Sequence, residues 1–432
     1  MTTNHNHFGY QARLDFVQGL LRKEFNVEAD AEVNPIQYEP NFPFRYNNFV
    51  YRVTLHTPIT SAQVEKHVVD RPGCVAIPEG TKHLIVRLAN PAAEGVHSET
   101  RVENEVALIK LSAAALKHIQ PHVVPSIYAW GSAAAEAYGW TIQELMPGTP
   151  VDEAFESMTL EQKKLILAQM AKLLKGLQGY QLPSTITGLG GVTFNENGQI
   201  LSAAMPTFGE GPWSSLEAYF RRRIEAAFKT ADTSPQIQGW RANGVRDRLD
   251  AFVERGLAAQ FESLESKDEK CITHADFNTN NFLFDPSTYQ ITGLIDWDFS
   301  IIMHPSHEFL RSFIATGGQF RGWCGEEGGE HAALSEARLH GFPSPLPQST
   351  KDGVNWELAK ALEDELERLD AKRPRTIKGI EKVADVDTVL RTITPWRLTN
   401  PDILQRQSEE VLRKCRQDNE AQLANMLKYL GF

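Results

Sequence analysis

The sequence predicts an α+β fold, and three observations carry that reading. Strand-like runs collect before Glu144, amphipathic helical runs dominate beyond Leu160, and one strand–loop–strand segment, 271–299, sits among the helices. The chain has 432 residues, 41% of them hydrophobic and 23% charged, which is enough for two lobes with substantial cores.

Charge and cysteine usage narrow the class. The formal net charge of −11 argues against a nucleic-acid partner. An acidic balance suits a cationic substrate, though whole-chain charge says little about one pocket. Cys74, Cys271, Cys324 and Cys415 have no paired spacing, which argues against a disulfide scaffold or a zinc site and fits a reducing compartment. The first residues carry no apolar core of signal-peptide length, and no stretch approaches the ~20 apolar residues of a membrane span. The expectation is a cytoplasmic protein without a membrane, nucleic-acid or evident protein partner.

Taken in order, 12–25 reads as a short amphipathic helix, and 35–44 is irregular and rich in proline and aromatics. The run 47–55 alternates as a half-buried strand, 83–88 is a second strand, and the segment between them is rich in turns. A helix follows over 102–116, then apolar segments at 123–131 and 140–146 ending in Met146-Pro147-Gly148. Beyond this, helices are expected at 160–177, 213–229, 249–264, 309–316, 356–369, 377–392 and 401–430, with a hairpin at 188–198. Arg221-Arg222-Arg223 reads as a solvated helix face, with an anion site as the alternative. The Gly-rich 317–329, with Glu326, Glu327 and Glu330 nearby, reads as an acidic loop; the alternative is that it faces a substrate.

The chemistry concentrates in CITHADFNTNNFLFDPSTYQITGLIDWDF, 271–299. His274-x-Asp276 is followed five residues on by Asn281, and an Ile-Thr-Gly-Leu-Ile strand delivers Asp296-Trp297-Asp298. Phosphoryl transfer from a metal–nucleotide complex needs an acceptor hydroxyl held in line and phosphate charge neutralised. A carboxylate at Asp276 can orient that hydroxyl or take its proton. Asn281 and Asp296 offer hard oxygen ligands suited to Mg²⁺. His274 reads as a brace for the loop. The bland alternative makes both aspartates turn residues capping local amides.

HADFNTNNFLFD followed by ITGLIDWDFS resembles the catalytic and metal-binding segments of the aminoglycoside phosphotransferase/choline kinase family. The resemblance covers roughly 47–316. It implies a bilobal protein-kinase-like fold, with a small N-terminal lobe built on an antiparallel sheet and a larger, mainly helical C-terminal lobe. The nucleotide-binding lobe would be 1–146, with the hinge at its end, and the catalytic and substrate-binding lobe 147–432. It further implies ATP and Mg²⁺ as cofactors, Asp276 as catalytic base with His274 beside it, and Asn281 and Asp296 as metal ligands. Family members often carry glycine where this chain has Ala275.

The same resemblance assigns the nucleotide contacts. The loop Phe44-Arg45-Tyr46-Asn47-Asn48 stands where the family covers the phosphates, yet it has no glycine, so Asn48 is expected to act through its side chain. Arg87 stands where many members have lysine, and a guanidinium can bridge phosphate oxygens. Glu105 is its expected partner, with Glu99 and Glu103 as rivals. Glu144 and Met146 are expected to present main-chain groups to adenine. Asp298 and Glu308 are candidates for the acceptor side.

Together these imply an ATP- and Mg-dependent phosphotransferase acting on a hydroxyl of a small molecule whose identity the sequence does not name. The alternative is a catalytically silent nucleotide-binding or scaffold protein on the same fold, favoured by the glycine-free loop. Protein kinase activity is disfavoured, because nothing after Asp296 resembles an Asp-Phe-Gly to Ala-Pro-Glu activation segment.

Overall fold

The computed structural model describes residues 4–27, 31–39, 42–67, 69–323, 325, 329–350 and 353–432. The chain forms two compact units. The first comprises residues 1–156, 179–212 and 280–302; the second comprises 157–178, 213–279 and 303–432.

The first unit is built on a five-stranded sheet. Its strands are β1 (Ala31–Pro35), β2 (Asn48–Leu55), β3 (His83–Ala89), β4 (Ile127–Gly131) and β5 (Trp140–Glu144), in the order β1-β2-β3-β5-β4. Every neighbouring pair is antiparallel. Strands β3 and β5 lie inside the sheet and are buried almost throughout, polar Arg87, Thr141 and Gln143 included. Val53, Leu84, Val86, Leu88, Trp140 and Ile142 form the heart of the core, joined by Val17, Leu20 and Leu21 of the helix Tyr10–Phe25. Arg13 of that helix is also buried, its guanidinium donating to Tyr51 Oη at 2.9 Å and to the Asn6 carbonyl at 2.7 Å.

The segment after β5 explains Pro147-Gly148. Gly148 has φ +110°, and a side-chain carbon there would meet the Phe284 carbonyl oxygen at 2.7 Å. The turn lets Thr149–Pro150 pair with Phe282–Asp285, which pairs in turn with Gln290–Leu294. The hairpin that carries Asp296 is thereby fastened to the chain leaving β5. The hairpin expected at 188–198 is present as Gly191–Phe194 and Ile200–Ala203.

The second unit is mainly helical. Leu160–Gln178, Leu216–Thr233, Trp356–Arg368 and Ile380–Ile393 bury apolar stripes at the expected spacing. Four expectations are corrected. The helix over 249–264 is three short helical pieces: it opens around Gly256, where a side-chain carbon would meet the Phe432 ring. The helix over 309–316 is instead Ser306–Arg311, because Ser312 turns extended and Phe313 takes φ +69°. The Ile314 amide then bonds Asn278 Oδ1 rather than continuing the helix. The single helix over 401–430 is Pro401–Leu404, capped by Asn400, and Glu409–Tyr429, capped by Ser408.

The fourth correction concerns omissions: strand β1, the helix Ser61–Lys66 in the turn-rich segment, and the helix Gly329–His340. Glu326, Glu327 and Cys324 lie outside the described residues. Glu330 is described, and it accepts the Val354 amide at 2.7 Å. Among the described residues the cysteines are free, and no helix is long and apolar enough to cross a membrane.

Candidate active site

In the first unit, Arg87 lies on β3 between Val50 of β2 and Thr141 of β5, and its side chain is buried. A buried guanidinium needs counter-charge. It finds Glu105, on the helix Ser98–Ala115, with Nε 3.4 Å from Oε1, and Asp296, with Nη2 2.8 Å from Oδ1. Asp298 Oδ2 is a third neighbour at 3.7 Å. Of the three candidate glutamates only Glu105 meets Arg87. Glu99 is exposed, and Glu103 bonds Ser132. The Arg87 Nε and Glu105 Oε1 atoms are buried without a hydrogen bond, so this contact is ionic rather than well aligned.

A further buried arginine of this unit was not foreseen. Arg101, one helical turn before Glu105, grips Asp298 through Nε at 2.9 Å and also through Nη2. Its Nη1 donates to the Asn47 carbonyl at 2.9 Å. Asn48 Nδ2 donates to the same aspartate at 2.7 Å. Both Asp298 and Asn48 are therefore committed to this network. Asp298 is buried among Arg101, Arg87 and Asn48, and the Asn48 amide nitrogen is turned to its carboxylate. The glycine-free loop is held in place by Arg101 at Asn47, by Asn90, which donates to the Tyr46 carbonyl, and by Asn6, which accepts the Tyr46 amide. Nothing in the sequence separates Arg101 from an ordinary arginine on a Glu-rich helix face.

Electrostatics follow from burial. Burial alone would raise the Asp298 carboxyl, but Arg101 and Arg87 outweigh it and hold it below the usual carboxylate range. Glu105 goes the other way: burial pushes it up to about 7 against the pull of Arg87.

The proposed metal residues lie on the same unit. The Ile295 amide donates to the Asn281 carbonyl at 2.9 Å, so the two segments run side by side. Asp296 takes φ +62°, and its side chain is 39% exposed. Among the described residues no three His, Cys, Asp or Glu side chains converge as a ready-made metal cage. Magnesium held by one or two protein oxygens plus substrate phosphates does not require one. Asn281 and Asp296 are the right donor type for that arrangement. Glu144 spends its side chain on His122 Nε2 at 2.9 Å and the Ser126 amide at 3.1 Å, so a nucleotide would meet only its main chain. Met146 is buried beside Gly293.

In the second unit, Asp276 lies on a loop built around Glu308. The Glu308 carboxylate is buried and accepts the His274 amide at 2.7 Å and the Ala275 amide at 3.0 Å. Ser312 donates to it at 2.5 Å and accepts the Phe277 amide at 2.8 Å. Through these bonds Glu308 braces the loop. Burial pushes its carboxyl up to about 7, although Ser312 and the two amides pull it down. His274 is buried, with its ring edge-on to Phe277. Asn278 Nδ2 donates to Asp276 Oδ1 at 2.6 Å. Ala275 takes φ +61°, a left-handed conformation that glycine adopts freely and alanine at a cost of about 1 kcal/mol.

An antiparallel five-stranded sheet followed by a mainly helical region is a kinase-like fold, and solved structures agree. The aminoglycoside phosphotransferase APH(2")-IIa, as its streptomycin–ATP ternary complex, superposes with a TM-score of 0.51 at 12% identity, covering 95% of this chain and 97% of that one. Its gentamicin complex gives the same values. A putative aminoglycoside phosphotransferase of Ralstonia eutropha JMP134 matches with a TM-score of 0.48 at 15% identity, over 97% of this chain and 98% of that one. No curated protein matches the chain. Residues 75–345 match the model of the phosphotransferase enzyme family, APH, well over half the chain, and the protein belongs to that family.

Proposed function

We propose that the protein is an ATP- and Mg²⁺-dependent kinase that transfers the γ-phosphoryl group to a hydroxyl of a small molecule. The observation that carries this reading is the Arg87–Glu105–Asp296 constellation: a buried, incompletely hydrogen-bonded guanidinium beside a half-exposed carboxylate. Glu105 orients Arg87, which binds the nucleotide phosphates; Asn281 and Asp296 hold Mg²⁺, whose contribution is to neutralise phosphate charge. Arg87 keeps Asp296 compensated in the absence of metal. Glu144 and Met146 present main-chain groups to adenine, with residues 1–146 as nucleotide lobe and 147–432 as catalytic lobe. Asp276 accepts the proton of the acceptor hydroxyl, and His274 and Glu308 fix the loop that carries it. The relative APH(2")-IIa, solved with ATP and streptomycin, supports the nucleotide and the small-molecule acceptor as classes.

The test is ATP consumption against a panel of small alcohols, with Asp276→Asn as the blank. A positioned base is worth ~10²–10⁴-fold in rate. Turnover is expected to fall by that factor in the variant, with nucleotide affinity unchanged. Equal turnover removes Asp276 as base. Tight nucleotide binding with no acceptor ever phosphorylated favours the catalytically silent reading instead.

A further inference from the structure

We infer that Asn278 is a positioning residue for Asp276, fixing its carboxylate for the acceptor hydroxyl; the inference rests on the phosphotransferase reading above. All the groups involved belong to the second unit. Asn278 is 6% exposed, whereas Asp276 is half-buried. A buried carboxamide must find partners for both its ends. Its oxygen accepts the Ile314 amide at 2.9 Å, and its Nδ2 donates to Asp276 Oδ1 at 2.6 Å, the short separation of a charge-assisted bond.

The direction of these bonds is dictated by Ile314. A backbone N–H only donates, so the carboxamide turns its oxygen to Ile314 and its NH₂ group is left facing Asp276. The Ile314 amide is available because the helix Ser306–Arg311 has already ended. Ser312 is extended and Phe313 takes φ +69°, a left-handed conformation that is costly for a bulky residue. That strained turn delivers the Ile314 N–H to Asn278 instead of to a helix carbonyl.

One stretch of chain thereby holds the loop at successive points. Glu308 accepts the His274 and Ala275 amides, Ser312 accepts the Phe277 amide, and Ile314 donates to Asn278. The bonds to Glu308 and Ser312 fix backbone. The bond from Ile314 is passed on through the carboxamide to the Asp276 carboxylate itself. An aspartate on a loop swings about its side-chain bonds unless held, and misplacing a reacting group by about 1 Å costs ~10²-fold in rate. The simpler role, an oxygen that caps a stray N–H, uses half of the group and leaves the 2.6 Å contact unexplained.

The test separates the two halves of the carboxamide in the full-length protein. Asn278→Asp keeps an oxygen for the Ile314 amide and loses the donor to Asp276; Asn278→Ala loses both. Turnover is measured with ATP and the best acceptor from the alcohol panel, at a temperature where circular dichroism shows each protein folded. Both variants are expected to have kcat about 10–100-fold lower, with the KM of ATP unchanged. Wild-type kcat in Asn278→Asp overturns the inference and leaves Asn278 as a cap for Ile314. A rise in the KM of ATP that matches the fall in kcat also overturns it, because the damage then extends beyond the base. A wild type that phosphorylates no acceptor overturns the phosphotransferase reading and this role with it, whereas full turnover in Asn278→Asp removes the role alone.

Discussion

Replacing Asp298 by asparagine isolates the network behind the proposed nucleotide site. The side chain keeps its size, but Arg101, almost wholly buried, loses its counter-charge, and Arg87 loses one of three. Removing one partner of a buried pair costs about 3–5 kcal/mol, because the other charge stays desolvated. With an m-value of about 2–3 kcal/mol per molar urea, the midpoint should fall by roughly 1–2 M. The assay is urea unfolding followed by circular dichroism, for Asp298→Asn, Arg101→Met and the double variant. The two charges compensate one another, so the double variant should lose clearly less than the sum of the singles. Because the folded carboxyl lies below its ordinary value, its contribution is present at neutral pH and is lost as pH falls through that depressed value. Strict additivity, or a loss below about 1 kcal/mol for Asp298→Asn, would refute the buried-pair argument.

Glu308→Gln should cost about 2–4 kcal/mol and lower turnover while sparing nucleotide affinity, since the new amide group meets a backbone N–H donor it cannot accept from; calorimetry with ATP beside a turnover assay checks the split. The pH dependence has opposite signs for stability and for rate. The folded Glu308 carboxyl, raised to about 7, favours the fold most below its ordinary value and loses that contribution as pH rises through about 7. Turnover should instead climb to a plateau above about pH 7, where the carboxylate accepts both loop amides, and Glu308→Gln should lack that limb. Ala275→Gly removes the left-handed strain and should raise stability by up to about 1 kcal/mol by chemical denaturation; a loss of stability would show that φ +61° costs this alanine nothing.

The segment 271–299 and Arg87 stand out in the sequence because the proposed chemistry demands particular side chains at fixed spacing. The Arg87–Glu105 pair came from the resemblance, and only the burial of Arg87 separates Glu105 from its rivals Glu99 and Glu103 on the same helix. Arg101 was out of reach because its burial depends on Asp298, far along the chain. The same limit hid the role of Glu308, since a carboxylate near a proposed pocket reads alike whether it faces a ligand or two backbone amides. Strand β1 escaped because it is short, half-buried and ends in Pro35, and the helix Gly329–His340 because it emerges from a glycine-rich run.

The first unit is stitched together across long stretches of chain, which matters during synthesis. Arg101 lies 197 residues before Asp298, and Arg87 lies 209 before Asp296. At ~5–20 residues per second, 197 residues take roughly 10–40 s to make. For that interval Arg101 lacks Asp298 and Arg87 has Glu105 but not the two aspartates, so the sheet cannot bury both guanidiniums without penalty. Two segments of the other unit, 157–178 and 213–279, are made in the meantime. The arrival of Asp296 and Asp298 is thus a late, charge-driven latch, and a nascent chain short of it should hold its N-terminal sheet in an open state that invites chaperone capture.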